Sequence, residues 1–156
     1  MKLIRLGCFG KSNFIKILLV ILALVSATIT LPSVEAEEWM TITLGVSSYR
    51  VEQASTPAER QSGLMHRQSL AQGAGMLFLY PRSGQHRIWM KNTLIPLQVI
   101  WIDEDFEVIG SKILKPCEST YCPSFGVDRP SRFILEINSN EPFAKAGTIV
   151  EGIPVL

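Results

Sequence analysis

Apolar residues along this chain come in short alternating stretches, separated by glycine, proline and acidic turns, which is the pattern of a protein built mainly from strands. Met40 to Leu44 and Tyr49 to Gln53 read as two strands around Gly45-Val46-Ser47-Ser48. Met76 to Tyr80 is a buried strand stopped by Pro81-Arg82-Ser83-Gly84. From Arg87 to Thr93 the chain alternates: Ile88, Met90 and Asn92 point one way, and Arg87, Trp89, Lys91 and Thr93 the other. Leu97 to Ile102 is apolar on both sides except at Gln98, so it reads as a central strand. Asp103-Glu104-Asp105 turns it into a hairpin partner over Phe106 to Leu114. Phe133, Leu135 and Ile137 then alternate with Arg132, Ile134 and Glu136 in a further strand. Ala144 to Gly147 suggests the close of a short helical turn, and Thr148 to Val155 an edge segment that tolerates Pro154.

One helix interrupts the strands. Thr56 stands at an N-cap position, Pro57 at the first helical position, and Glu59 where a capping box needs its acid. The expected helix runs from Pro57 to about Arg67, although Gly63 inside it costs about 1 kcal/mol relative to alanine. The fold class is therefore mainly β, a β-rich α+β arrangement: a single compact barrel or sandwich with one short capped helix near residues 57–67.

The first 36 residues follow a different rule. Lys2, Arg5, Lys11 and Lys16 precede an almost unbroken apolar run from Ile17 to Ile29, and Val34-Glu35-Ala36 offers the small residues of a cleavage site. The expectation is a signal peptide over 1–36 that is removed, leaving a periplasmic or secreted domain at 37–156. The alternative is a retained membrane anchor, but spanning a bilayer takes about 20 apolar residues, and Ser26, Thr28 and Thr30 dilute this run. Residues 37–156 suffice for one domain with a core and are too few for two.

Charge and cysteines narrow the picture. The chain has 15 basic and 14 acidic residues, and the leader holds four of the basic ones. What remains is slightly acidic, which argues against a nucleic-acid partner. The charge is uneven, with basic residues gathered between Arg50 and Pro96, so the two halves either pair internally or attract an anion. Cys8 departs with the leader, and Cys117 and Cys122 are left in an exported chain, where a structural disulfide is expected. Closing so short a loop is worth about 2 kcal/mol at most. Zinc is the weaker reading, because only two histidines exist and neither has finger spacing.

The densest writing lies between residues 60 and 103: RQSGLMHRQSL, GAGMLFLY and WMKNTLIPLQVIWID. It resembles the domain of unknown function 192 family, whose signature has the form R-x-x-GLM-x-R, GML-F and WMKNT-x-IPL. The resemblance implies a compact β-rich domain over nearly all of the mature chain, and no chemistry. That family pattern usually has an aspartate after IPL, where this chain has Gln98, and a later Gly-Asp pair where Glu151-Gly152 stands. Both departures argue against carrying an acid–base mechanism over to this chain.

The candidate ligand site is Arg60, Gly63, Arg67, Trp89, Lys91 and Asn92. On a continuous helix, Arg60, Gly63 and Arg67 share one stripe at the border of the buried face. Arginines so placed need acceptors, either internal ones such as Asp103, Glu136 or carbonyls, or a bound anion. Trp89 and Lys91 share a strand face, an indole beside an ammonium, with Asn92 at the strand end; the mix suits a sugar or a small carboxylate. The competing reading makes Trp89 a core residue with Lys91 running past it. Met65, His66, Met76, His86 and Met90 raise Cu(I) as a minor alternative, although the methionines are better explained as core filling.

No catalytic constellation, metal site or cofactor motif is legible. The leading expectation is noncatalytic binding of a small polar or anionic ligand, a saccharide or carboxylate, in the cell envelope. A hydrolase of envelope carbohydrate or esters is the alternative from another class, and a structural or interaction protein without a ligand is the third.

Overall fold

The strand pattern folds into one sheet that curls over on itself. The structure, a computed structural model, describes residues 39–154, so the leader expected at 1–36 lies outside the described residues. The strands are β1 (Trp39–Leu44), β2 (Ser47–Ala54), β3 (Ala74–Gly84), β4 (Ile88–Trp89), β5 (Leu97–Ile102), β6 (Val108–Leu114), β7 (Ser124–Phe125), β8 (Ser131–Asn138) and β9 (Val150–Glu151). Seven of them join in the order β6-β5-β8-β3-β2-β1-β9 to make a half-barrel, and β4 pairs with β7 in a small ribbon. The mainly β expectation holds.

Alternation decides what each face carries. Ile42, Tyr49, Val51, Leu77, Ile100, Phe133 and Leu135 fill one side of the sheet. Ala54, Met76, Phe78, Val99, Trp101 and Ile134 form the other, covered by Leu64 and Met90 from overlying segments. Strand β5 is buried at every position, as its apolar run predicts. Burying a large apolar side chain contributes roughly 1.5–3 kcal/mol, so the doubly covered strands β5, β8 and β3 anchor the domain.

Strands β2 and β3 run parallel, with Glu52 beside Met76 and Ala54 beside Phe78. A parallel pair cannot be closed by a tight turn, so the chain crosses over between them through residues 55–73. That crossover contains helix α1 (Pro57–Ser62). Its capping box is complete: the Glu59 N–H donates to Thr56 Oγ1 at 3.2 Å, and the Thr56 N–H donates to Glu59 Oε2 at 2.8 Å.

The helix is shorter than its sequence suggests. It stops at Ser62, and Gly63 takes φ +47°, a left-handed conformation that favours glycine. Arg67 is therefore not on the helix, and the stripe expected from a continuous wheel does not exist. The alternation expected from Arg87 to Thr93 also stops early, because β4 ends at Trp89 and Asn92 sits at φ +55°. Ala144 to Gly147 forms a turn in place of a helical one, closed by the Thr148 N–H donating to Lys145 O at 3.2 Å.

Gln98 is the one polar residue of β5, and it is completely buried. Its Oε1 accepts from the Ala144 N–H at 2.7 Å and from the Ser111 hydroxyl at 3.0 Å. Its Nε2 donates to the carbonyl oxygen of Pro142 at 3.2 Å. The side chain thus fastens the 141–144 loop to the sheet. Gln98→Ala leaves that N–H and that carbonyl unpaired, and should lower the unfolding free energy by about 2–3 kcal/mol in denaturant titration. A loss below about 0.5 kcal/mol would show that the loop is held by other means.

Candidate functional site

The crossover and the segment after β4 face one another across a cleft. One wall is α1 with the turn that follows it; the other is Trp89 to Asn92. Their backbones meet where the His66 N–H donates to Asn92 O at 2.8 Å, with both residues in left-handed conformations. The Asn92 amide adds a weak contact to the Met65 sulfur at 4.0 Å. The open part of the cleft holds about 350 Å³ and is lined by Ala58, Gln61, Ser62, Met65, Trp89, Lys91 and Asn92. A smaller recess of about 20 Å³ adjoins it, sharing Gln61, Ser62, Met65 and Trp89 and reaching Gly63, Phe78, Thr93 and Glu136.

The second wall is braced from behind by the disulfide loop. Cys117 and Cys122 are bonded, as their spacing and the expected compartment suggest. The Cys117 N–H donates to Met90 O at 3.4 Å. Strand β7, just past the loop, pairs Ser124 with Trp89, and Arg87 grips the Ser124 hydroxyl and carbonyl at 2.9 and 2.6 Å.

The two arginines are spent on the scaffold. Arg60 donates to the carbonyls of Ser55 and Leu79, the latter at 2.8 Å, and its guanidinium lies 4.9 Å from the Tyr80 ring. Arg67 forms a fork with the Glu52 carboxylate, Nη1 to Oε1 at 2.6 Å and Nη2 to Oε2. Of the alternatives, internal acceptors take both guanidiniums: Arg60 finds carbonyls, as anticipated, and Arg67 finds a carboxylate, Glu52, other than the Asp103 or Glu136 anticipated. Asp103 is engaged by Arg129 at 2.9 Å, and no arginine among the described residues pairs with Glu136.

Trp89 and Lys91 do share a face. The indole is 41 % exposed, and the Lys91 ammonium sits 5.1 Å from its ring. The Lys91 ammonium makes no hydrogen bond or ion pair among the described residues, and the Lys91 carbonyl accepts from the Thr93 hydroxyl at 3.5 Å. Asn92 stands beside them at the rim. Of the six site residues expected, Trp89, Lys91 and Asn92 line the open cleft, Gly63 and Arg60 line the recess, and Arg67 lines neither.

Met76 and Met90 pack in the apolar cluster, and His86 stacks on Tyr80 with ring centroids 3.6 Å apart. Among the described residues, no group of three His, Cys, Asp or Glu stands close enough to hold a metal.

Glu136 is the residue that sequence reasoning undervalued. It lies on β8 between Met76 of β3 and Val99 of β5, on the covered face of the sheet, and is only 4 % exposed. No donor among the described residues reaches its carboxyl. Burial without compensation raises its pKa from the ordinary 4.5 to about 8, so the group carries a proton at neutral pH. The signal was present: Ile134 shares its face, and an apolar neighbour two residues away marks that face as buried. Gln98, by contrast, points to the opposite side of the sheet with Ile100 and Ile102. Its lack of a carboxylate therefore says nothing about cleft chemistry, contrary to the weight that the sequence alone gives it.

A curled sheet with a crossover clamped over one face, and a cleft beside that crossover, defines the class of this domain. The model of the domain of unknown function 192 family, described as an uncharacterized ACR, matches residues 40–152, and the chain belongs to that family. The fold is similar to that of a candidate transcription regulator from Sinorhizobium meliloti 1021, at TM-score 0.64 and 24% identity, over 75% of this chain and 95% of that one. It is also similar to a protein of unknown function from Novosphingobium aromaticivorans DSM 12444, at TM-score 0.64 and 28% identity, over 76% and 89%. A comparison with curated proteins found no match.

Two stability measurements test this geometry. Arg67→Ala strands the Glu52 carboxylate and should cost about 2–3 kcal/mol in chemical denaturation. Adding Glu52→Met should recover part of that loss, because the stranded charge goes too; a double variant no better than the single one would refute the clamp. Glu136 works in the opposite sense. Its folded pKa lies above the unfolded value, so the folded state holds the extra proton and stability falls as pH rises from about 4.5 to about 8. Glu136→Gln should therefore match wild type near pH 4 and exceed it above pH 8 by on the order of 3 kcal/mol. A gap that does not grow with pH would mean that the carboxyl is solvated.

Proposed function

We propose that this chain is an exported protein of the cell envelope that binds a small polar or anionic ligand, a saccharide or a carboxylate, in the cleft between α1 and Trp89–Asn92. The observation that carries the reading is the Trp89–Lys91 pair: a large aromatic face left 41 % exposed, with an uncommitted ammonium beside it. An indole offers a stacking surface, and an ammonium without a carboxylate offers charge to an incoming anion. Gln61 and Ser62 add an amide and a hydroxyl on the opposite wall. The cleft volume is in the range of small-molecule sites. Arg60 and Arg67, included in the site on sequence grounds, are assigned to the walls.

Export is supported by the leader pattern at 1–36 and by the Cys117–Cys122 disulfide, which suits an oxidising compartment. Binding is preferred to hydrolysis because Glu136 is the sole carboxyl among the described residues lining the cleft and its recess. Paired-carboxylate chemistry needs a second one.

A thermal-shift screen of neutral saccharides and small carboxylates tests the proposal. A bound ligand raises the melting temperature by mass action. Trp89→Ala and Lys91→Ala should each weaken binding about tenfold, an effect of about 1.4 kcal/mol, while leaving the ligand-free melting temperature within about 2 °C of wild type. A panel with no stabilising member, or binding that survives both substitutions unchanged, would defeat the reading.

A further inference from the structure

We infer that Glu136 is the floor of this ligand site and donates a hydrogen bond from its carboxyl O–H to the carboxylate of a small organic acid. The inference rests on the cleft reading above and narrows its ligand class. Its geometric basis is independent of the Trp89–Lys91 pair. The side chain is 4 % exposed, has no hydrogen-bond partner among the described residues, and lines the recess that continues the open cleft. Buried polar groups without a partner are uncommon, and a group with its only free direction toward a cavity is placed to meet what enters it. The recess, at about 20 Å³, admits one atom-sized group such as a ligand oxygen.

The backbone above it is shaped to leave that opening. A Cβ at Gly63 would stand 3.2 Å from the Phe78 ring and 4.0 Å from Glu136 Oε2, so any side chain there would press on the floor of the recess. The left-handed φ of Gly63 serves the same end by turning the chain away after six helical residues.

The charges around Glu136 decide the sign of the ligand. From α1 comes the Arg60 guanidinium, and from the rim the Lys91 ammonium, both lining the cleft or recess. From β3 comes the Tyr80 phenol, raised by burial, pulled down by Arg60 and pushed up by Glu136. Two strands away in the same row, Glu52 is neutralised by Arg67. Strand β5 contributes only apolar Val99 beside it. A cationic ligand would meet the Lys91 charge at the rim and the Arg60 charge, bonded only to neutral carbonyls, in the recess wall, whereas a carboxylate would find both of those charges and a proton donor. Protonated at neutral pH, Glu136 can share its proton with a ligand carboxylate in a strong O–H···O⁻ bond.

The test is binding of acetate, lactate and succinate, with acetamide and glucose as neutral counterparts, followed by calorimetry at pH 6 and pH 9. With a pKa of about 8, the protonated fraction falls about tenfold over that range, and carboxylate affinity for wild type should fall by the same factor beyond any change in the variant. Glu136→Gln keeps an N–H donor at both pH values, so it should still bind carboxylates and lack that tenfold fall. Equal pH dependence in wild type and Glu136→Gln would overturn the role of Glu136 while leaving the cleft reading intact. Binding of glucose alone would overturn the carboxylate assignment and still leave the cleft reading intact. No binding by any member of the panel would overturn both.

Discussion

The cleft exists because two arginines clamp the crossover to the strands that it joins. Arg67 holds Glu52 on β2, and Arg60 holds the Leu79 carbonyl on β3. Buried Leu64 and Leu70, and bonds from Arg50 of β2 to the Gly73 carbonyl and from Asn138 of β8 to the Leu70 carbonyl, hold the rest of residues 55–73 to the sheet. A guanidinium suits both tasks, because its planar fork can engage a carboxylate with two bonds or reach two carbonyls at once. The same clamps give two basic residues of the first half a role in the scaffold. Arg67 is paired with Glu52, Arg60 is bonded to neutral carbonyls and keeps its charge in the recess wall, and Lys91 faces the open cleft.

The second constraint is the covered face of the sheet itself. Its row Glu52–Met76–Glu136–Val99 holds two carboxyls two strands apart with a thioether between them. They are handled in opposite ways. Glu52 is paired with Arg67 in a fork, and Glu136 has no partner among the described residues and holds a proton. A well-packed core would have no use for the second arrangement, since leucine or methionine at 136 would bury the same area without a polar atom. The Glu136 carboxyl thus stands out as a destabilising choice at one defined point, directly under Gly63.

Most of the strands were open to reading because burial on a sheet imposes a period of two, and the apolar residues obey it. The helix start was equally legible, since Thr56, Pro57 and Glu59 each satisfy a local backbone demand. What escaped were features set by left-handed residues. A wheel drawn through Gly63 assumes continuity that its φ denies, and an alternation drawn through Asn92 assumes an extended chain that ends at Trp89. The parallel pairing of β2 with β3 is a tertiary outcome with no local signature. The arginines are sound candidates for buried acceptors, but Glu52 is remote from Arg67 in sequence and shares its strand face with exposed Ser48 and Arg50, so nothing local names it as the partner. Gln98 was weighed for the wrong reason: parity puts it on the far side of the sheet, where it serves the 141–144 loop.

Glu136 shows how a site can be hidden in an apolar strand. Phe133-Ile134-Leu135-Glu136-Ile137 looks like core interrupted by one surface position, and a single acid in such a run is ordinarily taken as the solvent side. Parity rules that out, because Ile134 points the same way and is completely buried. A strand covered on both faces has no solvent side, so any acid in it must be paired, neutralised or opened to a cavity. Glu52 takes the first course. Glu136 takes the second and third together, which is why the recess beneath Gly63, and not the arginine stripe, is the chemically distinctive point of the motif.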